Sequence, residues 1–225
     1  MSLSGFMACS ESRRAHSQTE LIADGAVHMF GLGIGIAGAV ALLAVTAGRS
    51  DGFKLAGALI YALGLLAMLA CSAAYNLGYN TGWRGFFRRC DHCAIFLMIA
   101  GTYTPFILHL FSGVFAATLG AAVWSAALTG IYLKLAKPPL FERLSVGLYL
   151  LLGWFSVIIL APFAGQMSGM PMTMLVSGGV LYTAGVVFHM WERLPFQNAI
   201  WHVFVLAAAI CLYWAVMDGV VLAGA

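Results

Sequence analysis

The densest group of chemically able side chains lies at residues 88–93, where Arg88, Arg89, Cys90, Asp91, His92 and Cys93 are consecutive. Cys90 and Cys93 have the Cys-x-x-Cys spacing of metal and redox sites. A zinc ribbon needs a second such pair, and a thioredoxin-type motif needs a strand–helix context. The sequence offers neither, so the two cysteines read as packing residues. Asp91 and His92 are neighbours, about 100° apart on a helix, and should face different partners. Elsewhere, groups able to move protons or ligate metal recur at helical spacing. Glu20, Asp24 and His28 stand at i, i+4 and i+8. Ser72 and Asn76 are one turn apart, as are Asn198 and His202, and His189 stands alone in an apolar run.

The elements that must position these residues are membrane helices. Hydrophobic residues make up 62% of the 225 and charged residues 8%. A soluble domain carries about 25% charge, so this chain lacks the polar surface that water requires. A helix needs about 20 apolar residues to cross the hydrocarbon, and the hydropathy pattern predicts seven, over 24–46, 55–77, 92–110, 114–134, 144–163, 172–191 and 199–222. The expected architecture is an all-α integral membrane bundle over 20–225, preceded by a flexible cytoplasmic tail over 1–19. The polar N-terminal stretch lacks the charged-then-apolar pattern of a cleaved signal, so the first span reads as an uncleaved anchor. With the N-terminus in the cytoplasm and the C-terminus outside, nine lysines and arginines fall on the inner segments and only Arg49 and Lys54 on the outer ones. That is the asymmetry of the positive-inside rule. The expected location is a cell membrane, the inner one in a bacterium. Gly31 and Gly35, four apart, are expected to let a neighbouring helix approach, and Pro105 to bend the third span. A net charge of +3 gives no ground for a nucleic-acid partner; the partners expected are membrane lipid and a lipid-like substrate or ligand.

This topology brings the chemically able residues to one depth. Glu20, Asp24 and His28 enter the first span from the cytoplasmic side. Ser72 and Asn76 end the second there, Asp91 and His92 open the third, His189 closes the sixth, and Asn198 and His202 open the seventh. The outer half offers only His109 and Asp218. Each inner residue taken alone could be an interfacial cap, and Asp91 suits a helix N-terminus through the helix dipole. Taken together, five helices contributing polar groups to one end point to a cytoplasm-facing polar cavity, since ionisable groups inside a membrane are costly and usually functional.

These same residues carry a family resemblance. FFRRCDHCAIFLMIAGTYTPF (86–106) resembles the third-helix signature of the hemolysin III family, which is related to progestin and adipoQ receptors. The stripe Glu20, Asp24, His28 resembles its first motif, whose middle position is usually Asn. SAAYN (72–76) is similar to its Ser-x-x-x-His motif except at the last residue. NAIWHVFVLAAAIC (198–211) resembles a seventh-helix motif that normally begins His-x-x-x-His. The resemblance implies a zinc ion held by three histidines, one from the second helix and two from the seventh, with the third-helix Asp holding a zinc-bound water. Related alkaline ceramidases imply hydrolysis of a lipid amide. Here the ligand positions are Asn76, Asn198 and His202, and the Asp is Asp91; Leu212 stands where a further histidine is common. Neutral amides suit harder ions than zinc, so the resemblance implies a zinc site that is weak or lost.

Three functions follow as expectations. The first is a metal-depleted lipid-binding or signalling relative, with Asn76, Asn198, His202 and Asp91 forming a polar network. The second is a zinc-dependent lipid amide or ester hydrolase with Asp91 and Ser72 as candidate catalytic residues. The third is a proton-coupled transporter using Glu20, Asp24, His28 and Asp91. The wider polar cavity would include His92 and His189.

Overall fold

The computed structural model describes residues 17–49, 51–78, 81–136, 138–166 and 169–223, with the side chains of 138–143, 164 and 166 excepted. The expected tail up to residue 16, with Arg13 and Arg14, and Lys137 lie outside the described residues. Seven helices are long and apolar enough to cross a membrane. They are α1 (Gln18–Ala47), α2 (Gly52–Leu77), α3 (Arg84–Leu110), α4 (Gly113–Ala136), α5 (Pro138–Leu160), α6 (Gly169–Met190) and α7 (Gln197–Val216). A 3₁₀ turn at Ala161–Gln166 follows α5, and a π-helical segment at Met217–Val221 extends α7. Among the described residues there is no strand. The chain is a seven-helix integral membrane bundle.

The distribution of side chains is the reverse of a soluble protein's. Ile22, Phe30, Val40, Leu63, Leu151 and Val187 are exposed on the outside, whereas Glu20, Asp24 and His28 are buried. Lipid accepts apolar side chains on every outer face but cannot hydrogen-bond exposed backbone. Closed helices therefore satisfy the chain, and polar groups turn inward.

α1 starts with a capping box. The Glu20 N–H donates to the Ser17 hydroxyl at 3.3 Å, and the Ser17 N–H donates to the Glu20 carboxylate at 2.7 Å, pairing donors that a helix start would otherwise leave open. Its buried stripe runs Glu20, Asp24, His28, Gly31, Gly35, Ala39, Leu42, Thr46. The stripe is polar over its first turns, then small, then apolar. At Gly31 an added Cβ would meet Leu206 of α7, and at Gly35 it would meet Leu69 of α2, so the two glycines seat α1 against both neighbours. α2 and α3 are closer still. A Cβ on Gly57 would lie 2.8 Å from the Pro105 backbone, and one on Gly64 would lie 3.0 Å from the Leu97 carbonyl oxygen. Pro105 lies inside α3, as expected, and its place is opposite Gly57.

α3 begins at Arg84, two turns before the apolar run that predicted it. Hydropathy marks where the chain must be dry, but a helix continues past that edge wherever its residues allow. Arg84 and Arg88 extend α3 in this way.

Candidate functional site

Because neighbouring helices alternate in direction, the start of α1, the end of α2, the start of α3, the end of α6 and the start of α7 share one end of the bundle. There a cavity of about 670 Å³ opens among α1, α2, α3, α5, α6 and α7. Its wall includes His28, Ser72, Asn76, Asp91, His92, His189, Asn198 and His202. Eight of the residues singled out from sequence thus line one space. Glu20 and Asp24 do not; they border a small cleft beside it with Phe196 and Asn198. Farther along the helices the wall carries Met98, Leu175, Leu206 and Leu212, and the hydroxyls of Thr102, Tyr103 and Ser156 there donate to backbone carbonyls.

Each polar group has a definite setting. Asp91 takes a hydrogen bond from the Ser72 side chain, and His202 and Lys134 are near enough to act on its charge. The Asn76 amide donates back to the Ser72 carbonyl at 3.0 Å, leaving its amide oxygen for the cavity. His92 sits with its Nδ1 buried and without a hydrogen-bond partner, while its backbone carbonyl accepts from the Tyr149 hydroxyl at 3.1 Å. The His189 ring lies 4.9 Å from Trp201, and its backbone carbonyl accepts from the Gln197 amide. His202 reaches across to α1, with its Nδ1 2.6 Å from the Asp24 carboxylate. One turn on, His28 Nε2 lies 3.7 Å from the same carboxylate oxygen, and its ring is 4.2 Å from that of His202. Glu20 has a separate task. Its carboxylate accepts from the Phe196 N–H at 2.8 Å, tying the start of α1 to the turn before α7.

Residues 17–213 match the profile of the family described as "Haemolysin-III related". The chain belongs to this family. It is 33% identical over 198 residues to "Hemolysin-3 homolog" of Bacillus subtilis (strain 168), covering 88% of this chain and 93% of the relative. It is 30% identical to "Hemolysin-3" of Bacillus cereus, covering 88% and 90%. A human relative, "Monocyte to macrophage differentiation factor", is 28% identical over 166 residues, covering 70% and 67%.

Family resemblance implies zinc at positions 76, 198 and 202, and the residues present do not fit it. Two of the three, Asn76 and Asn198, are neutral amides, whose oxygens suit harder ions than zinc. The third, His202, has a ring nitrogen on Asp24. One imidazole with two amides is a poor zinc set, and no chemical step is derived through an ion there. The structure does bring together another set able to hold a metal. Asp24, His28 and His202 each present a donor atom, all within 4.8 Å of one another.

Several cavity residues escaped the sequence reading. Arg84 and Tyr75 face each other across the cavity wall in a cation–π contact of 5.4 Å, and Arg88, Tyr149 and Tyr182 also line it. For the arginines a signal existed. Arg84, Arg88, Asp91, Ile95, Met98 and Thr102 all line the cavity at the three-and-four spacing of one helix face.

Proposed function

We propose that this haemolysin III-related protein binds a lipid-like amphiphile in its cavity, with the polar end toward the cytoplasm. The headgroup would lie among Ser72, Asn76, Asp91, Asn198 and His202, and the tail would run past Met98, Leu206 and Leu212. The observation that carries this reading is one continuous cavity of about 670 Å³ whose acidic and histidine side chains gather at one end, with Met98, Leu175, Leu206 and Leu212 farther along. Ligand pockets of about 300–1,000 Å³ take drug-sized molecules. His202 and Leu212 are ten residues apart, or about 15 Å of helix rise, enough to separate a headgroup from much of an acyl chain. Saturable binding of a fluorescent fatty acid or ceramide to detergent-purified protein tests it. Ile95→Trp and Val205→Trp, which narrow the cavity, should weaken binding about tenfold, while Leu63→Trp on the lipid-exposed face should not. Equal binding by all three variants would overturn the reading.

A second reading, hydrolysis of a lipid amide or ester, is supported by two imidazoles and two carboxylates (His28, His202, Asp24 and Asp91) at this end. Such a set can orient water and move a proton, and any metal it used would most naturally be zinc. Fatty-acid release from ceramide by wild type but not by Asp91→Ala is the expected result; equal release would remove Asp91 from the chemistry.

A further inference from the structure

We propose that Asp24, His28 and His202 form a zinc site between α1 and α7, which keeps His202 of the positions that family resemblance assigns to the metal and takes its other two ligands from α1. The donor set is two imidazoles and one carboxylate, the type found in catalytic zinc sites with an open fourth position. It draws on two helices and is held deep in the bundle, where Asp24 is 6% and His28 7% exposed.

The geometry is close to what zinc requires. Bond lengths of about 2.0–2.2 Å place tetrahedral donors roughly 3.3 Å apart. The Asp24 carboxylate oxygen stands 2.6 Å from His202 Nδ1 and 3.7 Å from His28 Nε2, distances that bracket this spacing. All three donor atoms lie within 4.8 Å of one another, and the set would draw together to seat an ion.

His28 carries the argument further than a hydrogen-bond network can. Asp24 and His202 satisfy each other in a short contact, but His28 Nε2 is buried with no hydrogen-bond partner, on a side chain only 6% exposed. An unsatisfied buried polar atom is costly. A cation beside the Asp24 carboxylate would give that nitrogen a bond and use its position, one turn along α1 from Asp24. His28 and His202 line the cavity while Asp24 stands behind them. The open position of the ion would therefore face the space in which a ligand would sit. The site shares His202 with the proposed headgroup position but does not require lipid, and its test uses metal alone.

Full-length protein in detergent, stripped with a chelator, is dialysed against Zn²⁺ and its metal content measured, with Co²⁺ as a spectroscopic stand-in. One zinc per chain is expected, with the intense visible absorption of tetrahedral Co²⁺. His28→Ala and Asp24→Asn should cost more than the roughly 10–100-fold lost when an outer-shell partner is removed, whereas Asn76→Ala should leave zinc affinity unchanged. His28→Gln, close in size and able to hydrogen-bond, separates lost coordination from lost folding. It should keep the wild-type elution profile and helical circular dichroism and still lose zinc. No stoichiometric zinc in the wild type would overturn the proposal. So would zinc that survives His28→Gln, or that is lost with Asn76→Ala.

Discussion

Glu20 should matter to stability through the turn that leads into α7. Its carboxylate is 5% exposed and accepts two backbone N–H groups, Ser17 at 2.7 Å and Phe196 at 2.8 Å. Phe196 is the N-cap of α7, has no side-chain cap bond of its own, and holds φ at 59°. That left-handed conformation is costly for a bulky residue, by about 1–2 kcal/mol, and persists where surrounding contacts impose it. A hydrogen bond to a charged group contributes about 1.5–3 kcal/mol in water-soluble proteins and about 0.6–2 kcal/mol between membrane helices. Glu20→Gln keeps one acceptor but turns an NH₂ toward the other N–H, so one bond is lost, at about 1–3 kcal/mol. Glu20→Ala loses both and releases the strained turn, at about 2–5 kcal/mol. Thermal unfolding in a single detergent should rank wild type above Gln and Gln above Ala. Trypsin should cut after the exposed Arg193, in the same turn, faster in the alanine variant. Phe196→Gly, which relieves the backbone at a residue 42% exposed, should recover part of the loss. Wild-type melting and cleavage for both Glu20 variants would refute the idea that this carboxylate holds the turn.

Three further outcomes follow from the packing and the topology. Gly64→Leu should lower the unfolding temperature by overpacking, at about 1–3 kcal/mol, because its Cβ would lie 3.0 Å from the Leu97 carbonyl oxygen; Gly33→Ala, with nothing within 4 Å, should not lower it, and paired melting curves decide. Asn76→His combined with Asn198→His should raise zinc affinity, read by competition with a chelator, by restoring imidazoles at the positions that resemblance assigns to ligands; unchanged affinity would remove that assignment. In a background with the native cysteines replaced, an impermeant maleimide should label Ser112→Cys on intact cells and Thr81→Cys only after lysis, and the opposite pattern would invert the orientation expected from Lys and Arg placement.

The spans were legible because the bilayer sets a length and a dryness that composition must meet. Their ends were not, because polar helix such as the Arg84 turn of α3 satisfies its own backbone without being apolar. The stripe at 20, 24 and 28 was legible as a stripe, since i and i+4 residues share a face in any helix. What each member does was not legible, because the partners are backbone atoms or residues far away in sequence. Glu20 and Asp24 have the same charge and the same register, yet one carboxylate accepts backbone N–H groups while the other meets an imidazole 178 residues away. His202 shows the same limit from the other side. Motif resemblance pairs it with Asn198 and Asn76, on its own helix and on α2, while its ring nitrogen lies on α1. A motif assigns a residue to a set, and only the packing of helices decides which set it can serve. Here α1 supplies a carboxylate and a second imidazole where the assigned positions supply amides. Any metal chemistry in this chain is therefore expected to depend on α1 residues, and mutation of Asn76 and Asn198 alone would miss it.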